Sequence, residues 1–82
     1  MTCYIVVSSK PHKDQTFWMI EGYIHAKNPR IAKDEAIQYL PTDWIEVYPW
    51  IRLNEEAQMD ATQKGNLKQK YGGLTYQQQF PE

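Results

Sequence analysis

Trp44-Ile-Glu-Val-Tyr-Pro-Trp-Ile-Arg-Leu53 is the stretch that decides how this chain folds. Read at a period of two, it is a β-strand with two unlike faces. Ile45, Val47, Ile51 and Leu53 point one way. Trp44, Glu46, Tyr48, Trp50 and Arg52 point the other. A domain of 82 residues needs one apolar face for its core. The second face, with three large aromatics, an acid and an arginine, is expected to bind a partner. Pro49 has no N–H, which places this strand at a sheet edge or at a bulge.

Upstream, Asn28-Pro29 is a helix start. The Asn side chain can cap the first turn, and proline at the first helical position loses no needed hydrogen bond. The spacing predicts a helix over Pro29 to Leu40 that stops at Pro41, with Ala32, Ala36, Tyr39 and Leu40 on the stripe facing the sheet. Before it, Thr2 to Ser8 and Gln15 to His25 read as two strands joined by the polar turn Ser9 to Asp14. Strict alternation in the second strand groups Phe17, Met19, Glu21, Tyr23 and His25 on the outer face, and Trp18, Ile20, Gly22 and Ile24 on the inner one. Gly22 weakens the strand and marks either a bulge or a close helix crossing. Downstream, Asn54 can cap a short helix over Glu55 to Lys64 that ends at Gly65. Residues 1–65 are expected to form a compact α+β domain, and 66–82 a Gln-rich tail, flexible or docked on the sheet.

The element order β-β-α-β gives a two-layer fold. A three-stranded antiparallel sheet has its first strand in the middle, and a right-handed crossover puts one main helix on one face. The other face is open unless residues 54–82 cover it. The open set is Phe17, Met19, Tyr23, His25, Trp44, Tyr48 and Trp50.

The chain has a formal charge of −1, unevenly distributed. Residues 1–33 carry five basic against two acidic side chains, residues 34–60 one against seven, and residues 61–82 three against one. The acidic middle disfavours nucleic acid and suits a basic protein groove. Aromatics on a sheet can stack bases, but Glu21 and Glu46 share this face, and the glycine-aromatic signature of an RNA-recognition strand is missing.

Catalytic chemistry finds little support. Cys3 is the single cysteine, so neither an intrachain disulfide nor a cysteine metal cluster is expected. His12 and His25 are the two histidines, too few for a zinc site without carboxylates at unsupported spacing. Ser8 and Ser9 have no positioned base in the pattern. Asp34-Glu35 and Glu55-Glu56 are adjacent pairs that do not face each other on a helix. Gly72-Gly73 opens no phosphate loop. A non-enzymatic protein with no cofactor and no metal is expected. No apolar run approaches the roughly 20 residues of a membrane span, and the N-terminus lacks a signal pattern, so a cytoplasmic location is expected.

The stretch from Gly22 to Trp50 resembles the strand-helix-strand core of the podovirus inhibitors of bacterial RNA polymerase. Tyr23 and Ala26 at a strand end, Asp34-Glu35-Ala36 in the helix, Pro41 in the turn and Ile45-Glu46-Val47 on the next strand carry the likeness. Several type I anti-CRISPR proteins share the compact β-β-α-β plan. Where the polymerase inhibitors carry arginines after Glu-Val, this chain has Tyr48, Pro49 and Trp50, with Arg52 the nearest arginine. The resemblance implies a phage or mobile-element inhibitor. It would work in the host cytoplasm by occluding the working surface of a host protein or ribonucleoprotein complex, a CRISPR effector or RNA polymerase. The partner-binding residues are then Trp44, Glu46, Tyr48, Trp50 and Arg52, with Tyr23 and Phe17. The alternatives are a single-stranded nucleic-acid binder using the same aromatics and a homodimer through that face. The protein is expected to be a monomer or a homodimer.

Overall fold

The computed structural model describes residues 1–12, 14–40 and 44–71, with residues 10–12 as backbone. Strands β1 (Thr2–His12), β2 (Gln15–Ala26) and β3 (Ile45–Pro49) form one antiparallel sheet in the order β2-β1-β3. Helix α1 (Pro29–Tyr39) connects β2 to β3. Helix α2 (Glu55–Lys64) and the single turn α3 (Leu67–Lys70) follow. The α+β class, the central position of the first strand and both antiparallel pairings agree with the sequence reading.

The central strand feeds two cores. Tyr4 and Val6 join Ile24, Ala26, Ala32, Ala36, Tyr39, Leu40, Ile45 and Leu67 on the α1 side. Ile5 and Val7 join Ala61 on the α2 side, with Ile20, Tyr23, Trp50 and Leu53 packed around them. Alternate residues of one β-branched run therefore anchor both layers. The alanines Ala32 and Ala36, fully buried, let α1 sit close on the sheet. Asn28 Oδ1 accepts the Ile31 N–H at 2.9 Å, and Asn54 Oδ1 accepts the Ala57 N–H at 2.9 Å. Each side chain thereby satisfies a donor that the first helical turn leaves unpaired. Glu55 and Glu56 also favour the positive end of α2.

Three sequence expectations are corrected. First, the hairpin strands continue through Ser9 to His12, where the residue types read as a turn. β3 begins opposite Ser8, so the outer part of the hairpin is only two strands wide. Pro11 is tolerated there because the ladder continues on one side only. Second, β3 stops at Pro49. Trp50–Arg52 form a 3-10 turn closed by the Leu53 N–H donating to the Trp50 carbonyl at 3.3 Å. The alternation drawn over 44–53 therefore fails in its second half. Ile51 is 88% exposed, while Trp50 turns into the second core beside Leu53.

Third, β2 changes face midway. Val6 pairs with Gly22 but Val7 with Ile20, which leaves Glu21 as the extra residue of a bulge. Beyond it, Phe17 and Met19 lie on the α1 side, while Trp18 and Ile20 lie on the α2 side with Tyr23 and His25. Glu21 is held by the buried Ser8 hydroxyl, which donates to its Oε1 at 2.8 Å. Of the two alternatives for the face opposite α1, cover by residues 54–82 holds over its centre, where α2 lies.

The segment after α2 wraps the β2 edge. Gly65 carries φ +97°, and its carbonyl accepts the outward N–H of Tyr23 at 3.1 Å. Asn66 then forms a single parallel bridge to Tyr23. The chain crosses to the α1 side, where Leu67 is fully buried and Tyr71 stacks on Tyr39 with ring centroids 6.0 Å apart. Lys68 Nζ lies 2.8 Å from Glu35 Oε2, an ionic contact outside hydrogen-bond alignment. Residues 66–71, polar enough to read as tail, are thus part of the larger core. The expectations for the His12 side chain, Pro41 and residues 72–82 lie outside the described residues.

Candidate protein-binding surface

The bulge and the wrapped edge sort the aromatic side chains into structural and exposed ones. Tyr23 and Trp50, both expected on the binding surface, are half-buried beneath α2. Their rings meet edge to face with centroids 5.8 Å apart, and His25 approaches Tyr23 in the same manner at 5.8 Å. The Gln58 side-chain amide donates to the Trp50 and Leu53 carbonyls at 2.9 and 3.1 Å, pinning the 3-10 turn beneath α2. Arg52 is exposed on that turn, beyond the end of β3.

Three aromatics of this face are exposed, two of them at the other end of the sheet. Trp18 is 56% exposed, Trp44 54% and Tyr48 40%. Register puts all three on the α2 side, with Trp18 and Trp44 at the hairpin-arm end and Tyr48 in the row of Ile5 and Tyr23. Trp18, Ser9 and Trp44 form one row. Ser9 pairs with Trp18, and its N–H donates to the Trp44 carbonyl at 3.0 Å. Ser9 itself is only 6% exposed. An open notch of about 320 Å³ at this end is lined by Ser9, Trp18, Lys33, Trp44, Ile45 and Glu46. Lys33 comes from α1 on the opposite side of the sheet and reaches round the β3 edge, placing its Nζ 3.6 Å from Glu46 Oε1. Phe17 and Met19 are exposed on the reverse side of the same hairpin arm.

Of the sequence-derived site, the structure therefore brings Trp44, Glu46 and Tyr48 together. It leaves Phe17 on the other face, Arg52 at the far end, and Tyr23 and Trp50 in the second core. Trp18 is the residue that alternation misplaced. Gly22 carried the signal, since one extra residue there reverses the facing of everything before it.

Burial pushes the Cys3 thiol above its ordinary pKa, which lowers its thiolate fraction and its nucleophilicity. Among the described residues there is no group of three or more His, Cys, Asp or Glu side chains that could hold a metal ion. No helix among the described residues is long and apolar enough to cross a membrane. Comparison with protein-family models, curated proteins and solved structures finds no match to this chain.

Proposed function

We propose that this chain is a non-enzymatic binding protein that docks on a larger host protein or ribonucleoprotein complex and occludes its working surface. The observation that carries this reading is the hairpin arm. It projects past both cores and exposes Trp18 on one side and Met19 on the other, residues that belong to neither core. Solvent-exposed tryptophan and tyrosine on a rigid sheet supply large contact area with little side-chain entropy to lose. The acidic segment 34–60 favours approach to a basic partner. The likeness of residues 22–50 to phage inhibitors of polymerase supports the inhibitor class. A CRISPR effector or RNA polymerase is the kind of machine implied, and the cytoplasm the place of action.

Affinity capture from bacterial lysate, with wild type and Trp18→Ala compared side by side, tests the reading. Trp18 belongs to neither core, so the variant keeps its fold. A partner held by wild type and lost by the variant is the expected outcome. Equal capture by both proteins would remove the arm from the interface.

A further inference from the structure

The outer half of β2 presents a backbone edge that nothing in the described fold uses. In an antiparallel ladder, successive residues turn their N–H and C=O groups alternately toward the neighbouring strand and away from it. Two contacts show which residues of β2 face away from β1. The Tyr23 N–H donates to the Gly65 carbonyl at 3.1 Å, and Lys68 Nζ donates to the His25 carbonyl at 3.4 Å. Tyr23 lies opposite Ile5 and His25 opposite Cys3. Continuing along β1 by twos, across the bulge, Val7 lies opposite Ile20, Ser9 opposite Trp18 and Pro11 opposite Thr16. Ser9 gives the same phase, since it turns its N–H away from Trp18 to the Trp44 carbonyl. Thr16, Trp18 and Ile20 therefore point their N–H and C=O groups outward, and among the described residues none bonds to them. The opposite edge of the arm is closed. The Ser9 donor is taken, and Pro11 has no N–H to offer.

The sequence of the open edge says what fits it. Thr16-Phe-Trp-Met-Ile20 carries no charge and no proline, the usual means of blunting an edge. It is also complementary to itself. Laid antiparallel on a second copy with Trp18 on the two-fold axis, Trp18 meets Trp18 and Thr16 meets Ile20. On the reverse face Phe17 meets Met19. Aromatic and β-branched cross-strand pairs of this kind are favourable. This register alone pairs all three outward residues with one another. It sets Gln15 opposite Glu21, so no like charges oppose. Gly65, bonded to Tyr23, bounds the open stretch on its inner side.

We propose that two copies of this chain pair through the β2 edges of their hairpin arms, antiparallel and centred on Trp18, into one continuous sheet. The contact is isologous and stops at the dimer, because it uses the same edge in both copies and leaves only the short β3 edges. It goes beyond the reading of the arm as a host-binding surface. Lateral pairing uses the backbone and leaves the faces of Trp18 and Met19 for a partner. A single short strand from each copy buries less than the roughly 1,200 Å² of a standard interface, so the dimer is weak and forms between micromolar and millimolar protein.

Amide hydrogen exchange and rotational correlation time, both read by nuclear magnetic resonance as the full chain is concentrated, test the proposal. The correlation time is expected to rise toward that of a dimer. Exchange at Thr16, Trp18 and Ile20 should slow several-fold over the same range. Phe17 and Met19, which face β1, should change little. Thr16→Pro removes one outward donor from each copy and leaves the bonds to β1 intact, so it should weaken dimerisation about tenfold or more. Thr16→Val keeps the donor and should dimerise nearly as wild type does. A monomer at millimolar concentration would overturn the proposal. So would a dimer in which those three amides exchange unchanged, or one that Thr16→Pro and Thr16→Val form equally well. Slow exchange at the three amides in a monomer at micromolar concentration would assign the edge to the chain's own residues 72–82 and overturn it equally.

Discussion

Replacing Gly22 with alanine tests how the β2 edge is closed. Gly22 sits at φ +142°, and a Cβ there would collide with the Gly65 carbonyl oxygen and stand 3.4 Å from Leu67 Cδ2. The oxygen it meets belongs to backbone, so the segment itself must shift. Three terms follow. Backbone strain at such a φ is on the order of 1–3 kcal/mol. Displacing Gly65 breaks its bond from the Tyr23 N–H, about 1 kcal/mol. Lifting Leu67 partly out of the core adds roughly 1–3 kcal/mol, a fraction of a full Leu→Ala deletion. The internal control is Gly65→Ala. Gly65 has φ +97° and ψ 175°, but a Cβ there meets nothing within 4 Å, so only the strain term applies. Gly22→Ala should therefore be less stable than Gly65→Ala by about 2–4 kcal/mol. The stability of a chain this size is about 4–12 kcal/mol in total. Urea titration followed by tryptophan fluorescence measures both variants under one set of conditions. Equal destabilisation within about 0.5 kcal/mol would refute the idea that the Gly22–Gly65 approach holds the edge closed.

Leu67→Ala should cost about 3–4 kcal/mol by the same assay, because a fully buried leucine leaves a cavity; a cost under about 1 kcal/mol would show that the turn does not complete the core. Asn54→Ala should destabilise by about 1 kcal/mol through loss of the α2 cap, with Asn54→Gly losing only a few tenths, as read from thermal melts. Burial first, and the Glu21 carboxylate second, push the Tyr71 phenol above its ordinary pKa. The folded state thus holds that proton more tightly than the unfolded chain. The resulting stability is present below about pH 10 and is lost as pH rises through the folded pKa. Denaturation midpoints of Tyr71→Phe should fall less steeply between pH 9 and pH 11 than those of wild type; parallel curves would contradict this.

Much of the fold was legible because local signals agreed. Asn28-Pro29 fixed the start of α1, the alternation Ile45-Glu-Val-Tyr fixed β3, and the element order left little choice of sheet. Asn54, the two glutamates and Gly65 bounded α2 despite its sparse apolar content. Three features were not legible, each for a physical reason. The bulge at Glu21 reverses facing with no change in composition, so Trp18 and Phe17 exchanged sides. Pro49 ends pairing on an edge strand, and the chain then coils, which buries Trp50 and exposes Ile51. Leu67 is one apolar residue among polar neighbours, with no period to reveal it. Its burial depends on a long-range approach of two glycines. At the candidate site, the residues of the regular part of β3, Trp44 to Tyr48, kept their expected facing. Those beyond an irregularity did not.

The segment after α2 also bears on self-association. A three-stranded sheet has two edges, and each offers outward N–H and C=O groups that can pair with another copy. Here the outward donor of Tyr23 is taken by the chain's own Gly65. β3 offers only five residues before ending at a proline. The β-branched run Ile5–Val7, the stretch most prone to stacking into fibrils, is enclosed between them in the central strand. Backbone geometry thus adds to the protection against templated aggregation that the charges of Glu46 and Lys33 give the β3 edge. Loosening Gly65 would be felt first as a loss of solubility.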